Sequence, residues 1–162
     1  MRRGLRSAIL TAVACAGPVL FSPASHAQSG PFAGMAGVWA GGGTITLDDG
    51  SSERIRCRAT YAVGAGGNGL NQSLTCASDS YRFNLSSNVI ARGGVLSGTW
   101  SETSRNVNGN VEGSGGNGNF HVVASAPGFN ANLSIRTAGN RQTVVIRSDG
   151  TFRGASITLT RS

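Results

Sequence analysis

The chain has 162 residues, 39% of them hydrophobic and 13% charged, with 14 basic against 7 acidic side chains and a formal net charge of +7. That length fits one domain with one core, and the apolar content excludes a disordered chain. All the basic residues are arginine, so any chemistry that needs a lysine is excluded as well.

The chain opens with Arg2, Arg3 and Arg6, then a mostly small and apolar run over residues 7–21, then Ser25-His26-Ala27. This order is that of a secretory signal peptide cut after Ala27. The run is shorter than the ~20 residues a membrane-spanning helix needs. Ala12-Val13-Ala14 ahead of Cys15 lacks the leucine usual before a lipidated cysteine. Removal of residues 1–27 takes three arginines and leaves 135 residues with 11 basic and 7 acidic side chains, a net charge of +4. No later apolar run is long enough to span a membrane as a helix. Export also makes a disulfide between the two remaining cysteines, Cys57 and Cys76, the expected redox state.

Residues 28–36 read as a flexible lead-in, and residues 37–162 as a single β-barrel domain. No window has helical apolar spacing. Short alternating runs are instead cut by Gly, Asn and Asp, which predicts ten strands at 38–47, 53–63, 69–78, 81–91, 95–102, 106–113, 118–125, 130–137, 141–148 and 152–160. Asp49-Gly50, Gly93-Gly94, Gly139-Asn140 and Asp149-Gly150 supply turn chemistry between them. Short connections imply an antiparallel up-and-down meander closing into a barrel, with a β-sandwich as the alternative.

Alternation sorts the faces. Ile55, Cys57, Ala59, Tyr61 and Val63 share one side of the second strand, with Arg54, Arg56, Arg58 and Thr60 on the other. Folding the hairpin about Gly66-Gly67 sets Cys57 opposite Cys76, Ala59 opposite Leu74 and Arg54 opposite Asp79. Inward positions farther along include Phe83, Leu85, Val89, Leu96, Trp100, Val111, Phe120, Ile135, Val144 and Leu159. Several are very small, namely Gly41, Gly43, Gly98, Gly109, Gly113 and Ala124. These either let strands approach closely or leave room for a ligand.

Gly37-Val38-Trp39 resembles the Gly-x-Trp of lipocalins and related calycin barrels. The resemblance implies a tryptophan plugging the closed end, with Arg161 or Arg153 packed over it. The stretches SERIRCRATY (residues 52–61), SDSYRFNLSSNV (78–89) and SGTW (97–100) resemble a group of short exported proteins of Gram-negative bacteria. That second resemblance implies export and the disulfide, and it brings no catalytic residue.

Conventional catalytic patterns are sparse. His121 is the sole histidine after Ala27 and falls on an outer strand face, so zinc and iron lack ligands, and no acidic calcium loop is present. Ser114 lacks a nucleophile-elbow context, while Glu102 and Glu112 form a pair only if neighbouring strands align them. The expectation is an exported, non-enzymatic binding module without cofactor or metal, periplasmic or secreted. Its interior would hold a small apolar or lipid-like ligand against Trp39, Tyr61, Phe83, Leu85, Trp100 and Phe120. The alternative is an envelope interaction or structural protein, inhibitor-like, acting through its surface and an anion-binding stripe of Arg54, Arg56 and Arg58. Nucleic acid is not an expected partner, because the basic excess is modest and no exposed aromatic run accompanies it.

Overall fold

The two-residue rhythm of apolar and polar side chains becomes ten strands. A computed structural model describes residues 29–150 and 152–162, so the signal-peptide reading of residues 1–27 and the status of Cys15 lie outside the described residues. The strands are β1 (Gly37–Leu47), β2 (Ser52–Val63), β3 (Gly69–Ala77), β4 (Arg82–Arg92), β5 (Val95–Glu102), β6 (Val107–Gly116), β7 (Asn119–Ala126), β8 (Phe129–Ala138), β9 (Arg141–Ser148) and β10 (Phe152–Arg161). Each pairs antiparallel with its sequence neighbour, and β1 also pairs with β10, so the meander closes into a barrel and the sandwich is excluded. Closure leaves no sheet edge open to another chain.

The β2–β3 register is the one the alternation predicts. Cys57 faces Cys76 and Ala59 faces Leu74, and the two cysteines form a disulfide with Cα atoms 4.1 Å apart. The ladder ends at Arg56 opposite Ala77, so the expected Arg54–Asp79 pairing does not form. Between β1 and β10 the register shifts after Thr46, leaving Arg153 as an extra residue. This bulge resets the pleat, which is why both Phe152 and Ala155 point into the core.

Three local expectations change. Residues 29–36 are not a loose lead-in: they turn back over one end of the barrel, with Phe32 and Met35 each only 2% exposed. The Phe32 N–H donates to the Gly67 carbonyl at 3.0 Å, anchoring this plug to the β2–β3 connection. Gly50, Gly93, Gly94 and Gly139 take the positive φ expected of turns, but Gly150 does not. A side chain at Gly150 would meet the ring of Phe129 at 2.6 Å, so its smallness makes room for an aromatic side chain. The inward glycines, finally, do not mark a cavity. A Cβ on Gly41, Gly43 or Gly98 would overlap the backbone carbonyl of Thr158, Ser156 or Asn88 on the adjoining strand. They permit close strand approach and strong coiling.

Candidate functional site

The two ends of the barrel are built differently. One end holds the starts of β1, β3, β5, β7 and β9. Here Trp39 is fully buried, its Nε1 donates to the Met35 carbonyl at 2.8 Å, and it meets Tyr61 edge-on with ring centroids 6.4 Å apart. Phe32 stacks on Phe120 at 5.4 Å. The Arg161 guanidinium lies 4.6 Å from the centre of the Trp39 ring and donates to the Gly34 carbonyl. Of the two arginines proposed for that position, Arg161 therefore takes it. Arg153 is at the opposite end, where its Nε donates to the Asp48 carbonyl at 2.9 Å.

A polar chain runs beneath this plug. The Tyr61 hydroxyl reaches from β2 to β9 and donates to Gln142 Oε1 at 2.8 Å, while Gln142 Nε2 donates to Thr137 Oγ1 at 2.9 Å. Gln142 is completely buried, and these bonds satisfy its amide. Burial pushes the Tyr61 phenol above its ordinary pKa, so it stays a neutral donor.

The other end is ringed by aromatic side chains from four distant parts of the chain. Phe83 contacts Tyr81, Tyr81 contacts Phe152, Phe152 contacts Phe129 and Phe129 contacts Trp100, with centroids 5.6–6.4 Å apart. Trp100 lies flat because β6 carries Gly109 beneath it, where a Cβ would sit 2.6 Å from the indole nitrogen. The indole N–H then crosses β6 to the Ser125 carbonyl on β7 at 3.3 Å. Apolar side chains that point inward in this half, including Leu74, Phe83, Leu85, Val107, Ala124 and Ile146, remain only partly buried.

Glu102 braces the rim of that end. Only 6% exposed, its carboxylate accepts backbone N–H groups of Asn84, Ser104 and Arg105 at 2.8, 3.2 and 2.7 Å. Burial acts to raise its pKa, but these hydrogen bonds outweigh it and hold the group below its ordinary value. Arg105 lies 3.9 Å from the carboxylate and 4.6 Å from the centre of the Tyr81 ring. Glu112 points outward from β6, so the carboxylate pair does not form.

The six expected lining residues therefore divide. Trp39, Tyr61 and Phe120 belong to the packed plug, whereas Phe83, Leu85 and Trp100 belong to the opposite half. Sequence reasoning missed Phe32, Met35, Phe129 and Phe152, which lie outside the alternating runs or at strand starts. It also missed Gln72, Ser87 and Gln142 as inward polar groups, although strand parity places all three inside; Ser87 Oγ and Gln72 Oε1 are 3.0 Å apart. On the outer surface Arg54, Arg56 and Arg58 are exposed, and Arg82 shares the cross-strand row of Arg56. Among the described residues the only ion pair is Arg105–Glu102, so these arginines are without acidic partners. His121 is exposed on the outer face of β7 beside Ser134.

A ten-stranded antiparallel barrel with a tryptophan–arginine plug at one end is a lipocalin-like architecture. No protein-family model matches the chain, and no curated protein is similar to it. Among solved structures it is similar to the S-type phycobiliprotein lyase CPES from Guillardia theta, with 11% identity, a TM-score of 0.56, and coverage of 78% of this chain and 88% of that one. At that identity the likeness concerns the fold. It also corrects the expectation of a non-enzyme: the neighbour is a lyase, so a shortage of familiar catalytic patterns does not separate binders from catalysts on this barrel. No helix among the described residues is long and apolar enough to cross a membrane.

Proposed function

We propose that this is an exported barrel protein that takes a small apolar or lipid-like ligand through the end away from Trp39. The observation that carries the reading is the partial exposure of inward apolar side chains in that half, Leu74, Leu85 and Ile146 among them. A core filled by its own side chains buries such groups fully, so their exposure favours accessible apolar space. Phe83, Leu85 and Trp100 line it, and the Phe129–Phe152 contact forms part of its mouth. Trp39, Tyr61 and Phe120 close the far end, where they set the depth of entry. The lyase neighbour supports small-ligand binding on this fold. Export rests on the arginine-led apolar start, the Ser25-His26-Ala27 site, the Cys57–Cys76 bond and the resemblance to short exported Gram-negative proteins.

Titration of the exported protein with fatty acids and lysophospholipids tests this reading through tryptophan emission. Quenching is expected in the native protein and is expected to vanish in Trp100→Phe, because Trp39 is shielded by Met35 and Arg161. No response across the panel, together with a native mass equal to that of the bare polypeptide, would refute it.

A second reading, contact with an envelope component through the surface, is favoured by the unpaired stripe of Arg54, Arg56 and Arg58. Their side chains project about 7 Å apart along β2, flanked by the small residues Ala40, Gly42 and Ala77. Forked guanidinium groups suit carboxylates and phosphates. Arg56→Glu with Arg58→Glu is expected to abolish capture of acidic envelope polysaccharide without changing the unfolding midpoint.

A further inference from the structure

Beside the arginine face of β2, the outer surface of β3–β6 carries a different chemistry. Asn71, Asn88, Thr99 and Asn110 lie side by side on four successive strands. One pleat along, Ser86, Ser101 and Asn108 form a second row. Between the rows runs a groove of about 720 Å³ that also meets Gln72, Ser87, Trp100 and Gly109, positions whose parity faces the interior. No ionisable group lines it.

We infer that this groove is a binding site for a neutral oligosaccharide lying across the strands. Side-chain amides and hydroxyls both donate and accept, which matches a ligand whose hydroxyl groups do the same. The absence of charge removes any preference for phosphate, carboxylate or amine. Asparagine is a poor strand former, so asparagines on three of four successive strands run against local propensity on a face where threonine would suit the strand better. Asn88 Nδ2 donates to Asn71 Oδ1 at 2.7 Å, which orients both amides and leaves a carbonyl on one and N–H groups on the other free. Thr99 and Asn110 make no side-chain hydrogen bond among the described residues, so their capacity is open to a ligand. The first row spans about 14 Å at the usual strand spacing, room for a short extended chain of rings. A peptide fits less well, because the closed barrel has no free edge for strand addition.

The site faces away from the barrel interior and is independent of any ligand held there. NMR titration of ¹⁵N-labelled protein, expressed from the full chain, with maltohexaose, cellohexaose and hexa-N-acetylchitohexaose tests it, with hexagalacturonate as the acidic comparison. The expected result is that one neutral hexamer shifts the side-chain amide signals of Asn71, Asn88 and Asn110. Thr99→Val and Asn110→Ala should each weaken that binding about ten-fold or more without lowering the unfolding midpoint, and Arg56→Ala should leave it unchanged. Silence with all three neutral hexamers at millimolar concentration would overturn the proposal. So would shifts that survive both substitutions, or binding of hexagalacturonate alone.

Discussion

The two ends of this barrel use aromatic side chains to opposite purposes. Around Trp39 the aromatics are satisfied and covered: the indole has its acceptor, Arg161 lies over one face, and Phe32 and Met35 fold in from outside the sheet. Around Phe83 and Trp100 a chain of aromatic contacts joins four separate segments, yet the apolar side chains behind it stay partly exposed. The first arrangement is a floor and the second a rim. The rim half also holds the disulfide and the Glu102 brace, so covalent and charge-assisted bonds substitute there for packing density.

The contrast is sharpest in paired truncations. Trp39→Ala is expected to cost about 3–5 kcal/mol, as for large buried aromatics elsewhere. Phe83→Ala, at a partly buried position, is expected to cost roughly 1–2 kcal/mol. Equal losses in urea denaturation would abolish the distinction between floor and rim. Removal of the disulfide by Cys57→Ala with Cys76→Ala is expected to cost about 2–4 kcal/mol. Hydrogen exchange should then rise first at the start of β2 and the end of β3, while amides near Trp39 stay protected.

Glu102 yields a smaller, pH-dependent effect. Its folded pKa lies below the ordinary glutamate value, so its contribution is complete above that value and disappears as pH falls through the folded pKa. Glu102→Gln is expected to cost about 2 kcal/mol at neutral pH and to flatten the loss of stability on acidification below the ordinary glutamate value, read from denaturation midpoints across pH. Arg161→Met is expected to have the least effect, about 1 kcal/mol from its lost cation–π contact, with a changed Trp39 emission and no change in ligand affinity at the rim.

Much of the architecture was legible because a strand writes its two faces into alternate positions. The β2–β3 register followed from that alternation together with a turn at Gly66-Gly67, and it put Cys57 opposite Cys76 before any tertiary information. The inward glycines were ambiguous for the same reason: alternation says which way a position points, not what lies there. Only the neighbouring strand's carbonyls decide that Gly41 and Gly43 fill their space with backbone. Glu102 was readable as inward by parity with Trp100, but its three backbone donors come from a turn and another strand, which spacing does not reveal.

By itself, then, the sequence determined the number of strands, their pairing and the sense of most side chains away from the bulge at Arg153, since these are local consequences of a period of two and of short turns. The plug by Phe32 and Met35, the choice of Arg161 over Arg153, the division of the six expected lining residues between floor and rim, and the neutral groove were decided by tertiary structure. Each depends on strand coil, a bulge at Arg153 or a segment returning over the barrel end, and those bring together residues that no sequence interval relates.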